Sequence, residues 1–151
     1  MYALSYTTEV NPPGVLPVLT REQVWRGLEM KAENALPFVK GMTKCEVIER
    51  SGNQILRDVI FAGSEHRERI TLHAPVQVFF ERVGETGVIE NIISDSERGL
   101  LLTFMFALGF PGTEPGSAAE RDKGESMKHA YIGAVGATLD RVRQMVKDGE
   151  I

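Results

Sequence analysis

The chain has 151 residues, 42% of them hydrophobic and 25% charged, enough to bury one core without disulfide or metal staples and too few to divide readily into two domains. Its net charge of -4, with no block of consecutive Lys or Arg, excludes the electrostatic footprint of a nucleic-acid or anionic-membrane binder. Cys45 stands alone, no secretory leader pattern begins the chain, and no run approaches the roughly 20 apolar residues of a membrane span, so a cytoplasmic location without membrane insertion is expected.

Tyr2 to Val10 is rich in Tyr, Thr and Val and partly alternates polar with apolar residues, as a strand does, until Asn11-Pro12-Pro13-Gly14 stops it. Thr20 and Gln23 stand at capping-box spacing, with Leu19 and Val24 where a hydrophobic staple sits. A helix is therefore expected from Thr20 to about Asn34, carrying Trp25, Leu28 and Ala32 on its apolar stripe. Pro37 interrupts it, and Leu36 to Val39 leaves room for a second brief helical turn before Gly41.

Strand-like runs follow at Lys44 to Arg50, Gln54 to Phe61, His66 to His73, Val76 to Val83, Val88 to Ser94 and Leu100 to Leu108, each gap carrying Gly, Pro, Asn or Asp turn chemistry. Gly109 to Gly116 reads as a loop. The last element is a long helix from about Gly124 to Asp148, with Met127, Tyr131, Val135, Thr138, Val142 and Met145 at helical spacing and Gly149 placed as a C-terminal cap. Ser117 and Glu120 match a second capping box, but Gly124 is expected to interrupt any turn that begins there. The small residues Ala130, Gly133, Ala134, Gly136 and Ala137 have two readings: close packing of helix on sheet, or room for a ligand beneath the helix.

Six successive strands with no helix between them must form an antiparallel meander, and its hydrophobic face can be covered only by the helix that comes last. The fold class expected is α+β, one domain over residues 1–151, with two short helices after the first strand.

This order of elements resembles the helix-grip architecture of the START-related, birch-pollen-allergen-like SRPBCC superfamily. Ile55-Leu56-Arg57-Asp58-Val59-Ile60-Phe61, then Glu68-Arg69-Ile70-Thr71-Leu72, and Ile89-Glu90-Asn91-Ile92-Ile93-Ser94 running into Leu101-Leu102-Thr103-Phe104 are similar to its AtaL-like subgroup. The resemblance implies a seven-stranded curved sheet gripping the terminal helix around a cavity for hydrophobic ligands. It also implies neighbours that are carriers in some cases and cyclases, aromatases or isomerases of polyketide-like compounds in others, with fungal members of the subgroup found among genes for secondary metabolism.

Alternation places Arg57 on one face with Ile55 and Val59, and Glu68 with Ile70 and Leu72, so both charges point inward. If Ala62 to Glu65 turns the chain, Val59 pairs with Glu68, and Arg57 opposes Ile70 with Glu68 on the diagonal. Such a pair is either a satisfied buried ion pair or a catalytic one, with Glu68 moving a proton and Arg57 holding a carbonyl or enolate oxygen. Asn91 and Thr103 offer hydrogen bonds from otherwise apolar walls, and Trp25 and Tyr131 offer flat bodies with polar tips, although each also suits ordinary packing. Thr103 and Phe104 lie on opposite faces, and only one of those faces can line a cavity.

His66, His73 and His129 do not make a metal-binding helix pair, and no phosphate-cradling glycine loop or nucleophile elbow is present. No metal and no cofactor is expected. The partner expected is a hydrophobic small molecule, bound by a monomer or weak homodimer. Two functions remain: a cofactor-independent cyclase or isomerase for an aromatic or polyketide-like metabolite, or a non-catalytic carrier or sensor.

Overall fold

The computed structural model describes residues 1–151. Strand β1 (Tyr2–Glu9) leads through an extended segment to helix α1 (Arg21–Glu33), after which β2 (Met42–Ser51), β3 (Gln54–Phe61), β4 (Ser64–His73), β5 (Gln77–Arg82), β6 (Gly87–Ser94) and β7 (Leu101–Leu108) follow in turn, and α2 (Ala118–Lys147) closes the chain. The seven strands form one antiparallel curved sheet in the order β1-β7-β6-β5-β4-β3-β2. β1 and β2, successive in sequence, therefore lie at opposite edges, and α1 must pass beneath the sheet to join them. Both helices share its concave face.

The N-terminus of α1 forms as its capping box dictates: Thr20 Oγ1 accepts from Gln23 N–H at 3.2 Å, and Gln23 Oε1 accepts from Thr20 N–H at 2.9 Å. The expected second short helix is reduced to a single turn, in which Phe38 and Val39 both donate to the Ala35 carbonyl. Asn34 ends α1 in an extended conformation and its side chain accepts from Leu36 N–H, so Pro37 follows a chain already turned out of helix. α2 starts six residues earlier than Gly124 would suggest, at Ala118. Ser117 caps it, accepting from Glu120 N–H, while the Glu120 carboxylate turns back to Gly116 N–H and the terminal amine of Met1. Those donors hold the Glu120 carboxyl below the usual range, the Gly116 bond contributing most. Gly149 adopts φ 73° just past the helix, as its placement predicted.

Alternation sorts the two sheet faces. Ile55 and Val59 of β3, Ile70 and Leu72 of β4, Val78 and Phe80 of β5, and Leu102, Phe104 and Phe106 of β7 are buried beneath α1 and α2, together with Leu28, Val135, Leu139 and Val142 from the helices. The helices meet where Gly27 faces the Val142 side chain, a contact that leaves no space for a Cβ at position 27. No helix is long and apolar enough to cross a membrane.

Candidate functional site

The apolar stripe of α1 carries a charge. Val24, Leu28, Lys31 and Ala32 fall on the buried side of the helix, and Lys31 is only 6% exposed. Its Nζ donates to Asn91 Oδ1 of β6 at 3.0 Å and lies between two rings, 4.9 Å from the centroid of Phe104 and 5.2 Å from that of Phe80. Burial, reinforced by the nearby positive charge of Arg57 and opposed by Glu68, brings the ammonium down to about 7.

Arg57 and Glu68 form a second polar cluster beside it. The β3–β4 hairpin turns on two residues, Ala62 (φ 49°) and Gly63 (φ 81°), so the register is Val59 to His66 and Arg57 to Glu68. This corrects the expected diagonal relation: the tighter turn puts the two side chains directly opposite each other. Arg57 Nε and one terminal nitrogen both lie 3.0 Å from Glu68 Oε1, leaving Oε2 without a donor. The other terminal nitrogen donates to the carbonyls of Lys31 and Ala32 at 2.9 and 3.0 Å. Arg57 thus satisfies the exposed carbonyls at the C-terminus of α1, where the helix dipole favours a cation.

These groups line a cavity of about 80 Å³ between sheet and helices. Phe80, Phe104, Phe106, Val59 and Ile89 form its walls, Ala130 and Ala134 of α2 face it, and Tyr131 lies flat on Phe106 with ring centroids 4.5 Å apart. A vestibule of about 510 Å³ adjoins it, sharing Phe61, His66, Arg82 and Tyr131 as a neck and bounded outside by Phe110, Pro111, Lys123 and Met127. At the neck, His66 Nδ1 lies 2.8 Å from Glu85 Oε2, and burial raises the Tyr131 phenol above its ordinary value. No group of three or more His, Cys, Asp or Glu side chains converges as a metal site would require.

Of the residues singled out from sequence, Arg57, Glu68, Asn91, Phe104 and Tyr131 meet in this cavity. Thr103 does not: it lies on the opposite face of β7, where its hydroxyl bonds that of Thr7 at 2.7 Å across the β1–β7 pair. Trp25 is buried in the core cluster of α1 and does not line the cavity. Three polar lining residues were missed, Lys31, His66 and Arg82. Lys31 had a readable signal, a lone charge seven residues after Val24 on an apolar stripe, and Arg82 had another, since it continues the Val78, Phe80 alternation. The two readings of the small residues in α2 divide by position, because Ala130 and Ala134 face the cavity whereas nothing lies near Gly133 or Gly136.

A curved antiparallel sheet closed by a C-terminal helix over a polar-floored apolar chamber defines a helix-grip protein. The comparisons agree in fold: the Zhui aromatase/cyclase from Streptomyces sp. R1128 superposes with TM-score 0.68 at 18% identity, over 96% of this chain and 95% of that one. TTHA0849 from Thermus thermophilus gives 0.68 at 14% identity over 93% and 97% of the two chains, and Ara h 8.0201 gives 0.61 at 10% over 93% and 97%. Residues 4–149 match the family described as AtaL, acetylaranotin biosynthesis cluster protein L, and the chain belongs to that family. A relative of that name from Aspergillus terreus (strain NIH 2624 / FGSC A1156) is 24% identical over 150 residues, spanning 98% of this chain and 92% of the relative.

Proposed function

We propose that the protein binds an aromatic or polyketide-like small molecule in the cavity and acts on it as a cofactor-independent cyclase or isomerase. The observation that carries this reading is the convergence of titratable groups, Lys31, Glu68, His66 and Tyr131, on one chamber whose walls are otherwise apolar and aromatic. A simple carrier of a hydrophobic molecule needs few polar contacts, and this chamber has many. The relative named for a biosynthesis cluster and the fold neighbour named an aromatase/cyclase support the same direction.

The chemistry suited to these groups is enolisation followed by ring closure. With Oε1 fixed by Arg57, the free Oε2 of Glu68 takes a proton from a carbon next to a ligand carbonyl. The Tyr131 hydroxyl, in the lining of the same cavity, donates to the enolate oxygen that forms, and the carbanion attacks a second carbonyl or is reprotonated at a new position. The alkoxide left by attack recovers the proton, so no oxidant or reductant enters.

Proton abstraction can be tested without the natural substrate by following α-hydrogen exchange of 2-tetralone in deuterated buffer by NMR. Exchange faster than buffer, slowed at least tenfold by Glu68→Gln, is the expected result; general acid–base groups typically contribute about 10²- to 10⁴-fold. Binding of 2-tetralone with exchange no faster than buffer would remove catalysis and leave the carrier, the reading favoured by the engagement of Glu68 in a buried ion pair.

A further inference from the structure

Cations outnumber anions along the cavity lining, where Lys31, Arg57 and Arg82 face only one carboxylate, Glu68. Glu68 is already committed to Arg57 through two contacts at 3.0 Å. Lys31 has no carboxylate partner; it has one bond to Asn91 and two ring faces, which attract the ammonium without neutralising it. An ammonium can only donate, so the bond to Lys31 fixes the Asn91 carboxamide with Oδ1 toward the lysine and leaves Nδ2 as a donor. Asn91 is 1% exposed, and that Nδ2 has no hydrogen-bond partner. Buried donors without partners are rare and costly, and here one stands beside a buried cation without a counter-ion. A second cavity-lining group repeats the pattern nearer the neck, where Arg82 Nε is likewise buried and unbonded.

We propose that the Lys31–Asn91 end of the cavity is an anion subsite that takes the carboxylate of a flat aromatic acid, its ring system lying along the aromatic wall of the cavity and extending toward the vestibule. The inference rests on the small-molecule reading above and names the chemical class of ligand for it. One carboxylate oxygen accepts from the free hydrogens of Lys31 Nζ and the other from Asn91 Nδ2, so a single ligand group satisfies the counter-ion and the unpaired donor together. The aromatic lining of Phe80, Phe104 and Phe106 favours a planar conjugated acid over a branched aliphatic one.

The test is calorimetric titration of the full chain with 2-naphthoate and with its neutral counterpart 2-naphthamide. The wild type is expected to bind naphthoate at least tenfold more tightly than naphthamide, and this comparison needs no variant to fold. In Lys31→Met, checked by thermal melting, the preference for naphthoate over naphthamide is expected to vanish. Equal or tighter binding of the amide by the wild type would overturn the anion subsite and leave the cavity reading standing. Naphthoate preference that survives in Lys31→Met would also overturn it, because the charge would then be read elsewhere on the protein. Failure of both compounds to bind would remove the small-molecule reading itself, and the subsite with it.

Discussion

At the Arg57 corner of the cavity each guanidinium nitrogen has an acceptor, either the Glu68 carboxylate or the last carbonyls of α1. At the Lys31 corner, one residue back along that helix end, a charge equally buried meets a single side-chain amide and two phenyl faces. Lys31 reaches in from α1 and Arg57 from β3, and both line the same chamber. What separates them is compensation. A buried cation whose partners are all supplied by the protein holds elements together, here the end of α1 against β3 and β4, whereas a buried cation left short of partners is poised for something the protein does not supply.

The largest effect that would break this contrast is the loss of Arg57. Arg57→Met leaves the Glu68 carboxylate buried without a counter-charge and two helix carbonyls without a donor, and is expected to destabilise the fold by about 3–5 kcal/mol in urea unfolding. The double variant Arg57→Met with Glu68→Leu should recover much of that loss, since replacing both members of a buried pair by apolar residues of similar volume is often near neutral. A loss below about 1 kcal/mol for the single variant would mean that the pair does not anchor α1.

Lys31 is expected to behave in the opposite way, and its sign depends on pH. The folded value is about 7, against about 10.4 for lysine in an unfolded chain. Between those values the folded protein holds fewer protons than the unfolded chain, so this group adds stability as pH rises through the window. Its contribution is fully present above the unfolded value and lost as pH falls through the folded one. Lys31→Met removes the dependence. The variant is expected to be more stable than wild type near pH 6.5, with the difference shrinking by roughly 3 kcal/mol by about pH 9.5. Urea unfolding of both proteins at the two pH values measures this, and parallel pH profiles would show that the lysine is not titrating inside the fold.

The contrast between the two corners was only half legible in the sequence. Strand alternation brought Arg57 and Glu68 to one face because period 2 is a strong signal wherever one face is buried and the other wet. The turn between them was not readable at that precision: Ala62 adopts φ 49°, a conformation for which Gly, Asn or Asp is the usual sign, so the sequence pointed to a longer turn. Thr103 was ambiguous for a related reason. β7 lies between β1 and β6, carries apolar side chains on both faces, and shows no polar alternation to mark the concave side. The Thr20 capping box, by contrast, is a purely local device, and α1 begins where it says. Lys31 stood in plain view on the stripe of Val24 and Leu28, but a lone lysine among apolar residues ordinarily reaches out to water along its own methylene stem. Only the tertiary arrangement, with Phe80 and Phe104 closing over it, keeps it inside.

The same lesson about partners recurs on a smaller scale in α2, where residues of one type have opposite roles. A glycine in a helix interior costs about 1 kcal/mol relative to alanine, and on that ground alone Gly124 looked like the start of α2. It lies instead in the helix interior and against the ring of Tyr2 of β1, so closely that a Cβ built at position 124 falls on the ring atoms. Tertiary packing overrides the propensity there. Gly133, further along the same helix, has nothing within 4 Å of the position a Cβ would take. Gly133→Ala is therefore expected to stabilise the protein by up to about 1 kcal/mol through helix propensity alone. Gly124→Ala gains the same propensity but must displace Tyr2 from β1, and is expected to be net destabilising by about 1–2 kcal/mol. Thermal unfolding of the two single variants decides the matter. Opposite shifts in Tm uphold the assignment of Gly124 to packing and Gly133 to open surface, whereas a rise in both would mean that β1 gives way to the added methyl and that its grip on α2 is loose.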